Sequence, residues 1–291
     1  SMVSVIINPV SGGVSPDRGR ARATAAMRAL ARAGVRDCDV VLTERRGHAR
    51  ELAAAALGRG ATLVIAWGGD GTVNEVGSAL VGSAARLGIV PCGSGNGLAR
   101  ELRLPGRPDA AIAAAVTARG RAIDVGELGS RWFFSIAGIG FDACVASAFD
   151  RDGSGRRGLP TYARITAREL WRYRCGDYRI DGVPATGALL VTFANSAQFG
   201  NGARIAPGAR LDDGLLDMVV FEERSRVATV RALPALFTGG VARIAGVSIQ
   251  QVTSAVVEAD VPMAYHVDGE PVSGGMRLEA RVHPGALLVA A

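Results

Sequence analysis

The sequence predicts two parts: an α/β domain with a parallel sheet and helices on both faces, then a β-rich domain built as an antiparallel sandwich or an open barrel. In the first part, apolar strand-like runs alternate with helical patterns four times, which is typical of a parallel sheet. From about Ile123, short apolar runs are separated by glycine, proline and aspartate turns, which favours antiparallel strands. We expect domains 1–122 and 123–291, with the last strand a candidate to pack back on the first domain.

The first domain is predicted to begin with a strand and an amphipathic helix. Ala23, Met27 and Leu30 recur at i, i+4 and i+7, so residues 17–34 favour a helix with one apolar face. The strands predicted are Val3–Ile7, Val40–Leu42, Leu63–Ala66 and Leu87–Val90, and the further helices are His48–Leu57, Val76–Val81, Leu98–Leu102 and Pro108–Arg119. Because ligands of such sheets bind beyond the carboxyl ends of the strands, the loops that follow the strands should line one edge.

The second domain is predicted to be mostly strands. These are Ile123–Leu128, Trp132–Ile139, Tyr178–Ile180, Ala188–Phe193, Leu215–Phe221, Val247–Val257, Ala264–Val267, Met276–Val282 and Ala286–Val289. Two helices interrupt them, near Thr161–Tyr173 and Val227–Phe237, and residues 151–157 are expected to form a polar loop.

Composition limits the classes of protein. With 48% hydrophobic and 21% charged residues, a sizeable core is expected and global disorder is not. A net charge of +6 suits anionic partners such as nucleotide, acidic lipid or nucleic acid, although an arginine-rich proteome would give the same excess. The four cysteines form no C-x-x-C pair and are expected to be free thiols in a reducing compartment. Neither a signal peptide nor a membrane-spanning run is expected.

A glycine-rich turn, Trp67 to Glu75, stands between the third predicted strand and its helix. Its glycines allow an anion to approach the backbone, and a helix N-terminus offers unpaired N–H groups with a positive dipole end. Together these predict a phosphate site. A carboxylate at Asp70 would repel phosphate alone, so it favours a metal–nucleotide. The alternative is a tight turn that only uses glycine.

Two other loops follow predicted strands. Residues 8–13 read NPVSGG and residues 91–97 read PCGSGNG, with hydroxyl and amide groups beside glycines. The chain has no G-x-x-x-x-G-K-[ST] motif, so it is not a P-loop protein. Residues 138–143, GIGFDA, nearly match the dinucleotide fingerprint, but they lie in the β-rich half and are interpreted as a chance match.

These motifs, with the later DGLLD and HVDGE segments, resemble the diacylglycerol kinase catalytic family, and within it the bacterial lipid kinases that are also similar to sphingosine kinases. The resemblance runs in the family's order from Asn8 to about Glu270. It implies an ATP-dependent lipid kinase: a nucleotide-binding first domain and a lipid-acceptor second domain. By resemblance, ATP would be contacted by Asn8, Pro9, Ser11, Gly12, Thr43, Gly69, Asp70, Gly71, Thr72, Asn74, Glu75 and Ser94, where serine replaces the family's usual threonine.

The resemblance also implies a catalytic base. Glu270, in HVDGE, matches the proposed base of the family, which would take the proton of the lipid hydroxyl. Asp70 would lie near the nucleotide phosphates, and Asp268 is a weaker candidate for the same cluster. Asp-Gly is also a strong turn signal, so a plain hairpin turn is the alternative.

A structural Mg²⁺ site is implied in the DGLLD segment. Its ligands would be the Asp213 carboxylate and the carbonyls of Arg210 and Leu215, with Asp124 joined through water, because Mg²⁺ prefers oxygen ligands and retains waters. The alternative is a surface turn with solvated acids, and the adjacent Asp212 leaves the choice of ligand open.

The acceptor site is the least specified. The resemblance implies a lipid substrate at the membrane surface, no nucleic-acid partner, and a cytoplasmic protein peripheral to the inner membrane; a homodimer is left open. Arg164, Arg168 and Arg172 share one helix face after Arg156 and Arg157, which suits an anionic membrane or simply a solvated basic face. The other functions considered are an NAD kinase, which shares GGDGT, and a non-catalytic nucleotide- or lipid-binding regulator.

Overall fold

The computed structural model describes residues 2–13, 17–152, 159–197, 204–223, 225–232 and 235–291. The chain divides into two compact units, Ser1–Ile123 with Gly285–Ala291, and Asp124–Pro284. The first is α/β and the second is β-rich, so the predicted fold class is confirmed. Most of the predicted 151–157 loop, with Arg156 and Arg157, lies outside the described residues.

The first unit is a parallel sheet with helices. Its strands are β1 (Met2–Ile7), β2 (Cys38–Leu42), β3 (Ala61–Gly68) and β4 (Arg86–Pro91), and its helices are α1 (Arg18–Arg32), α2 (His48–Gly58), α3 (Asp70–Leu80), α4 (Gly97–Glu101) and α5 (Pro108–Thr117). The strand order is β2-β1-β3-β4, all parallel. Leu288 and Val289 of the last strand add to β4, also in parallel.

The sheet of the first unit is buried on both sides. Alternate residues such as Val5, Ile7 and Ile65 share a core cluster with α1 and α5, while α2 and α3 pack against each other and against β3. Parallel strands covered on both faces have nearly continuous apolar sequences, and Val64–Ala66 are fully buried. The loops at the carboxyl ends of β1 to β4 are thus carried on a rigid layer.

The second unit consists mainly of antiparallel strands. They are β5 (Gly120–Leu128), β6 (Arg131–Phe133), β7 (Ile136–Gly140), β8 (Gly176–Ile180), β9 (Val183–Ala194), β10 (Leu216–Glu222), β11 (Val247–Val252), β12 (Ser254–Glu258), β13 (Ala264–Val267), β14 (Glu270–Ser273) and β15 (Arg277–Ala290). The first four residues of β5 and the last six of β15 belong to the first unit. The helices are α6 (Phe141–Asp152), α7 (Leu159–Arg172), α8 (Arg226–Ala232) and α9 (Ala235–Thr238), with a short 3-10 helix at Val241–Arg243. One path of pairing runs β14-β13-β7-β9, and β9 also pairs with β8 and β10.

Helix α6 was not predicted. The GIGFDA segment ends β7 and opens this helix, but β7 lies between antiparallel neighbours, so no dinucleotide-binding βαβ unit is formed. Phe141, Val145 and Ala148 recur at i, i+4 and i+7 and are buried. This spacing is typical of a helix, but the preceding Gly-Ile-Gly run favoured a strand, so the helix was not predicted.

Four predicted strands are divided or joined differently in the structure. The predicted strand 132–139 is broken into β6 and β7, because the Asp268 carboxylate accepts the N–H groups of Phe134, Ser135 and Ile136. The predicted strand 247–257 is β11 and β12, which change partners at Thr253. Conversely, the predicted strands 276–282 and 286–289 are the single strand β15. Across the described ranges, no helix is both long and apolar enough to cross a bilayer.

Candidate functional site

Three loops meet at the carboxyl edge of the sheet in the first unit. The Asn8 amide donates to the Thr72 hydroxyl at 3.2 Å, which joins the loop after β1 to the start of α3. A Cβ on Gly12 would lie 3.2 Å from the carbonyl oxygen of Cys92, which places the first loop against the third. The predicted NPVSGG, GGDGT and PCGSGN segments therefore come together.

The glycines allow this close approach. A Cβ on Gly93 would lie 2.8 Å from the Gly69 Cα, and a Cβ on Gly95 would lie 2.5 Å from the Asp70 Oδ2. Neither distance leaves room for a side chain on the glycine, so the backbone of the third loop approaches both the backbone and the Asp70 side chain of the second. This requirement is steric rather than a matter of φ, because neither glycine has the positive φ of a left-handed residue.

The N-terminus of α3 is exposed to this group of loops. Gly69 is the N-cap residue and has no side chain that could cap the helix, and Gly71 is exposed. The first N–H groups of a helix lack intrahelical partners, and the positive dipole end favours an anion there. The local geometry suits a phosphate group.

The Asp70 carboxylate orders the third loop. Its Oδ2 accepts the Asn96 N–H at 2.9 Å and its Oδ1 accepts the Gly97 N–H at 2.8 Å, which are the groups that open α4. Asp70 therefore stabilises the loop before α4, and it also lies in the first turn of α3, where an anion could bind.

Asn96 folds the same loop from the other side. Its side chain accepts the Gly93 N–H at 2.8 Å and donates to the Gly93 carbonyl at 2.7 Å. Its φ of 52° is in the left-handed region, which asparagine tolerates better than most residues. Half-buried Ser94 lies inside this closed loop. Asn96 was not predicted to belong to the site, although Asn among glycines is a signal of left-handed backbone.

Glu75 turns away from the glycine loops. Its carboxylate accepts the Gly47 N–H at 2.8 Å and the Ala49 N–H at 3.0 Å, so it caps the N-terminus of α2. The loop capped in this way follows Thr43, whose N–H is bound to the Ile7 carbonyl at 2.9 Å. The other predicted side chain on α3, Asn74, is buried near the Ser78 hydroxyl.

Two arginines of α1 donate hydrogen bonds to the loop after β1, and neither was predicted to belong to the site. Arg22 donates to the carbonyls of Asn8 and Ser11 at 2.8 and 2.7 Å, and its guanidinium carbon lies 5.9 Å from the Trp67 ring centroid. Arg18 donates to the carbonyls of Gly12 and Gly13. Their spacing of one helical turn is visible in the sequence, but in an arginine-rich chain it does not stand out. Pro9 packs in the same loop near Gly19 of α1.

The HVDGE segment of the second unit forms a two-residue hairpin turn between β13 and β14. Val267 pairs with Glu270, and Asp268 and Gly269 have φ of 48° and 85°, which is the backbone of a type I′ turn. The Asp268 carboxylate accepts three backbone N–H groups at 2.8–3.1 Å. The backbone is therefore the hairpin turn considered as the alternative. The Asp268 side chain joins this turn to the start of β7.

Glu270 has a different environment on the same turn. It begins β14, and its side chain is 26% exposed with Oε1 3.7 Å from the Arg131 guanidinium. The carboxylate thus faces one guanidinium and is partly open to an incoming group. Arg131 was not predicted, because nothing in the sequence joins it to a turn so far along the chain.

The predicted Mg²⁺ segment forms an acidic turn in the second unit. The Asp124 Oδ2 accepts the Gly214 N–H at 2.6 Å, and the Asp213 Oδ1 accepts the Leu215 N–H at 3.1 Å. Arg210 pairs through its side chain with Asp212 at 3.3 Å. In the described part of the chain, no three His, Cys, Asp or Glu side chains are grouped as a metal site.

The donor chemistry of this turn nevertheless fits Mg²⁺. Burial, followed by the negative charge of Asp213, raises the pKa of Asp217 above its ordinary value. Burial is the main cause, and the charge of Asp213 is a lesser contribution that a cation would offset. A carboxylate, carbonyl groups and water are the ligands that Mg²⁺ accepts, so the residues present fit the ion.

Two family models match the chain, one over its α/β part and one over its β-rich part. Residues 2–128 match the diacylglycerol kinase catalytic domain. Residues 135–291 match the YegS C-terminal domain, described as NAD kinase beta sandwich-like. The second match covers more than half of the chain.

Named relatives span nearly the whole length. A diacylglycerol kinase of Mycobacterium tuberculosis is 34% identical, covering 92% of this chain and 88% of its own. Proteins named probable lipid kinase YegS-like are 32% identical in Pseudomonas aeruginosa, with 93% and 90% coverage, and 31% identical in Chromohalobacter salexigens, with 87% and 83% coverage.

Solved structures share the fold. A diacylglycerol kinase structure from Bacillus anthracis superposes with a TM-score of 0.74 at 20% identity, covering 99% of this chain and 96% of that one. Another structure from the same organism gives a TM-score of 0.82 at 22% identity, with 99% and 94% coverage. The chain therefore belongs to the bacterial lipid kinase family in which a diacylglycerol kinase catalytic domain is followed by a YegS-type C-terminal domain.

Proposed function

We propose that the protein transfers the γ-phosphate of ATP to the hydroxyl group of a lipid, either diacylglycerol-like or related. The observation that carries this proposal is the uncapped N-terminus of α3, enclosed by loops whose glycines leave the backbone accessible. Phosphoryl transfer is mostly positioning and charge neutralisation. A site of backbone N–H groups on a rigid sheet edge suits that demand.

The nucleotide phosphates would bind at the loops of the first unit. The N–H groups of Gly69 to Thr72 and the hydroxyl of Ser94 are suitable donors to phosphate oxygens. Asn8, Asp70 and Glu75 act in this proposal by holding the loops in place, since each already bonds to a neighbouring segment. A divalent metal on the nucleotide would supply the charge neutralisation that the carboxylate of Asp70 alone cannot.

Glu270 is the proposed general base. An alcohol is a poor nucleophile at neutral pH, and a positioned base contributes about 10²–10⁴-fold. Among the three acids considered, Asp70 and Asp268 accept backbone N–H groups with both oxygens, whereas Glu270 is paired with one guanidinium and partly exposed. We therefore assign proton abstraction to Glu270, and the shaping of loops to the other two.

A structural Mg²⁺ is proposed at Asp213. Its carboxylate and the carbonyls of Arg210 and Leu215 would bind the ion directly, and Asp124 would reach it through water. Such an ion would stabilise the DGLLD turn, which the Asp124 carboxylate already joins to β5 through the Gly214 N–H.

An open surface pocket in the second unit supports an apolar acceptor. Its volume is about 660 Å³, and it is lined mainly by apolar side chains such as Phe221, Val227 and Ile244, together with Arg231 and Arg243. Ligand cavities of roughly 300–1,000 Å³ hold drug-sized molecules. Apolar walls with two arginines suit an acyl chain and a polar lipid head.

The surface of the second unit supports a lipid source at a membrane. The Trp171 side chain on α7 is 68% exposed, and Val227 and Val230 on α8 are also exposed. Arg164 and Arg172 lie on exposed positions of α7. Exposed apolar residues beside arginines suit an anionic bilayer, so we propose peripheral binding at the inner membrane surface, reached from the cytoplasm.

The test is ATP turnover with a panel of acceptors. Radiolabelled γ-phosphate is followed from ATP into diacylglycerols, monoacylglycerols, ceramide and sphingosine in mixed micelles, and into NAD as the competing acceptor. We expect label in at least one lipid and none in NAD. Transfer to NAD alone would contradict the lipid assignment, and nucleotide binding without transfer to any acceptor would favour the regulator.

A further inference from the structure

A buried histidine–carboxylate pair contacts the HVDGE turn, and the histidine is the first residue of that segment. His266 of β13 is 1% exposed and Asp142 of α6 is 5% exposed. The His266 Nε2 lies 3.4 Å from the Asp142 Oδ2, and the His266 Nδ1 accepts the Gly269 N–H at 3.2 Å. Gly269 is the residue before Glu270, so the pair reaches the backbone of the turn.

These contacts determine where the imidazole proton lies. Nδ1 accepts a hydrogen bond from the Gly269 amide, so it must present its lone pair to that group. Nε2 faces a carboxylate oxygen, and it can interact favourably there only if it carries the proton. The geometry assigns the Nε2–H tautomer, since the partner of one ring nitrogen sets the state of the other.

Neighbouring residues donate hydrogen bonds to the Asp142 carboxylate and leave space for it. The Thr192 hydroxyl donates to the Asp142 Oδ2 at 2.6 Å, and the Ala143 N–H donates to Oδ1 at 2.9 Å. A Cβ on Gly138, which pairs with His266 across β7 and β13, would lie 1.7 Å from the same Oδ2. Only glycine leaves space for Asp142 at this point.

The charge of Asp142 reaches two nearby tyrosines. Burial is the main cause that raises the pKa of Tyr173, and the charges of Tyr178 and Asp142 add to it. Burial also raises the pKa of Tyr178, and Asp142 adds to that shift. Asp142 therefore lies near buried polar side chains, a setting in which hydrogen bonds orient an imidazole.

We propose that His266 is a positioning residue: oriented by Asp142, it holds the Gly269 amide and thereby the direction in which Glu270 leaves the turn. This rests on the proposed function in that Glu270 is the base. A turn loosened by about 1 Å is enough to lower a rate by up to roughly 10²-fold. The chemistry of the base is unchanged in this account; only its placement depends on the pair.

Two substitutions of His266 separate its two nitrogens. His266→Asn keeps an acceptor at the Nδ1 position for Gly269, whereas His266→Gln keeps a donor at the Nε2 position for Asp142 and loses that acceptor. We expect His266→Asn to retain several times more kcat than His266→Gln, with KM for ATP similar in both. The Gly269 amide should exchange its hydrogen faster in His266→Gln than in His266→Asn, and this readout does not depend on turnover.

The role of Asp142 is read from the histidine tautomer. The chain has three histidines, so ¹⁵N-histidine spectra are simple, and the His266 signals are identified by their loss in His266→Asn. We expect Nε2–H in the wild type. In Asp142→Asn the new amide can donate to Nε2 and competes with the Gly269 N–H, which still donates to Nδ1, so a fraction of His266 should become Nδ1–H. Thr192→Val, which leaves the carboxylate in place, should keep the wild-type tautomer.

His283→Asn is the matched control, since His283 bonds Glu127 at 2.8 Å in the same unit and should alter neither kcat nor Gly269 exchange. The inference is overturned by an Nδ1–H tautomer in the wild type, by an unchanged tautomer in Asp142→Asn, or by a His266→Gln variant that matches His266→Asn in kcat and in exchange. A wild type inactive on every lipid contradicts the proposed function, while Gly269 exchange and the tautomer still decide whether the pair holds the turn.

Discussion

The turn that opens α3 and the turn that joins β13 to β14 use acidic side chains in opposite ways. At the first, both carboxylate oxygens of Asp70 accept N–H groups at the start of α4. At the second, Asp268 does the same for the start of β7, but its neighbour Glu270 faces a single guanidinium and remains partly exposed. Acids in similar Gly-rich motifs therefore divide into those that build a loop and one that is available for chemistry.

The difference teaches how to assign roles to motif residues. A carboxylate that accepts several backbone N–H groups is costly to remove, because buried donors are left without partners. Its loss damages the loop whatever the reaction. A carboxylate without such bonds can be removed at little structural cost, so its loss reports on chemistry. Activity and stability measured together separate the two classes.

The largest effect is expected from Glu270→Gln. This change keeps size and hydrogen bonding but removes the base, so kcat should fall by about 10²–10⁴-fold. ATP affinity should stay within a few-fold, because the proposed nucleotide contacts lie in the first unit. Steady-state kinetics and nucleotide titration on one preparation check both values. Unchanged kcat would remove Glu270 from the role of base, and a joint loss of affinity would indicate a binding role.

Asp70→Asn should have the next largest effect. The new amide places a donor against either the Asn96 or the Gly97 N–H, so one charge-assisted hydrogen bond is lost and a repulsive contact is made. The cost of about 1.5–3 kcal/mol corresponds to roughly 10–100-fold in affinity, seen mainly as weaker ATP binding with most transfer activity lost. Calorimetric titration with a non-hydrolysable ATP analogue measures it, and circular dichroism should show that the fold persists. Wild-type turnover in the folded variant would contradict the assignment.

Asp268→Asn should act chiefly on stability. It can still accept some of the three N–H groups of Phe134, Ser135 and Ile136, but it opposes at least one of them with a donor. We expect a loss of about 1–3 kcal/mol in the free energy of unfolding, measured by denaturant titration. A variant of wild-type stability would show that this clamp is not needed.

The smallest effect is expected at Asp213. If Mg²⁺ binds there in the native state only, about ten times its Kd should add roughly 1.4 kcal/mol to stability, or a few degrees in Tm. Without nucleotide, Mg²⁺ should raise the Tm of the wild type more than that of Asp213→Ala. Equal shifts in the two proteins would place the ion elsewhere.

Much of the fold could be predicted because its signals are local. Leu63–Ala66 is an apolar run followed by glycines, and the strand and helix it predicts are both present. The break at Phe134–Ser135 could not be predicted, since it depends on the carboxylate of Asp268, distant in sequence. The pairing of Arg131 with Glu270 and of Asp142 with His266 also required the sheet register. Local patterns predict elements, whereas partners of charged groups depend on long-range pairing.

The assignment of roles on the HVDGE turn is tested most directly by measuring kcat per folded molecule and unfolding free energy together in Glu270→Gln and Asp268→Asn. The same lipid acceptor, shown to be turned over by the wild type, is used for both. We predict that Glu270→Gln keeps nearly wild-type stability and loses more kcat, whereas Asp268→Asn loses stability and retains more kcat. The reverse pattern, an active Glu270→Gln beside a stable but inactive Asp268→Asn, would contradict the assignment and make Asp268 the base.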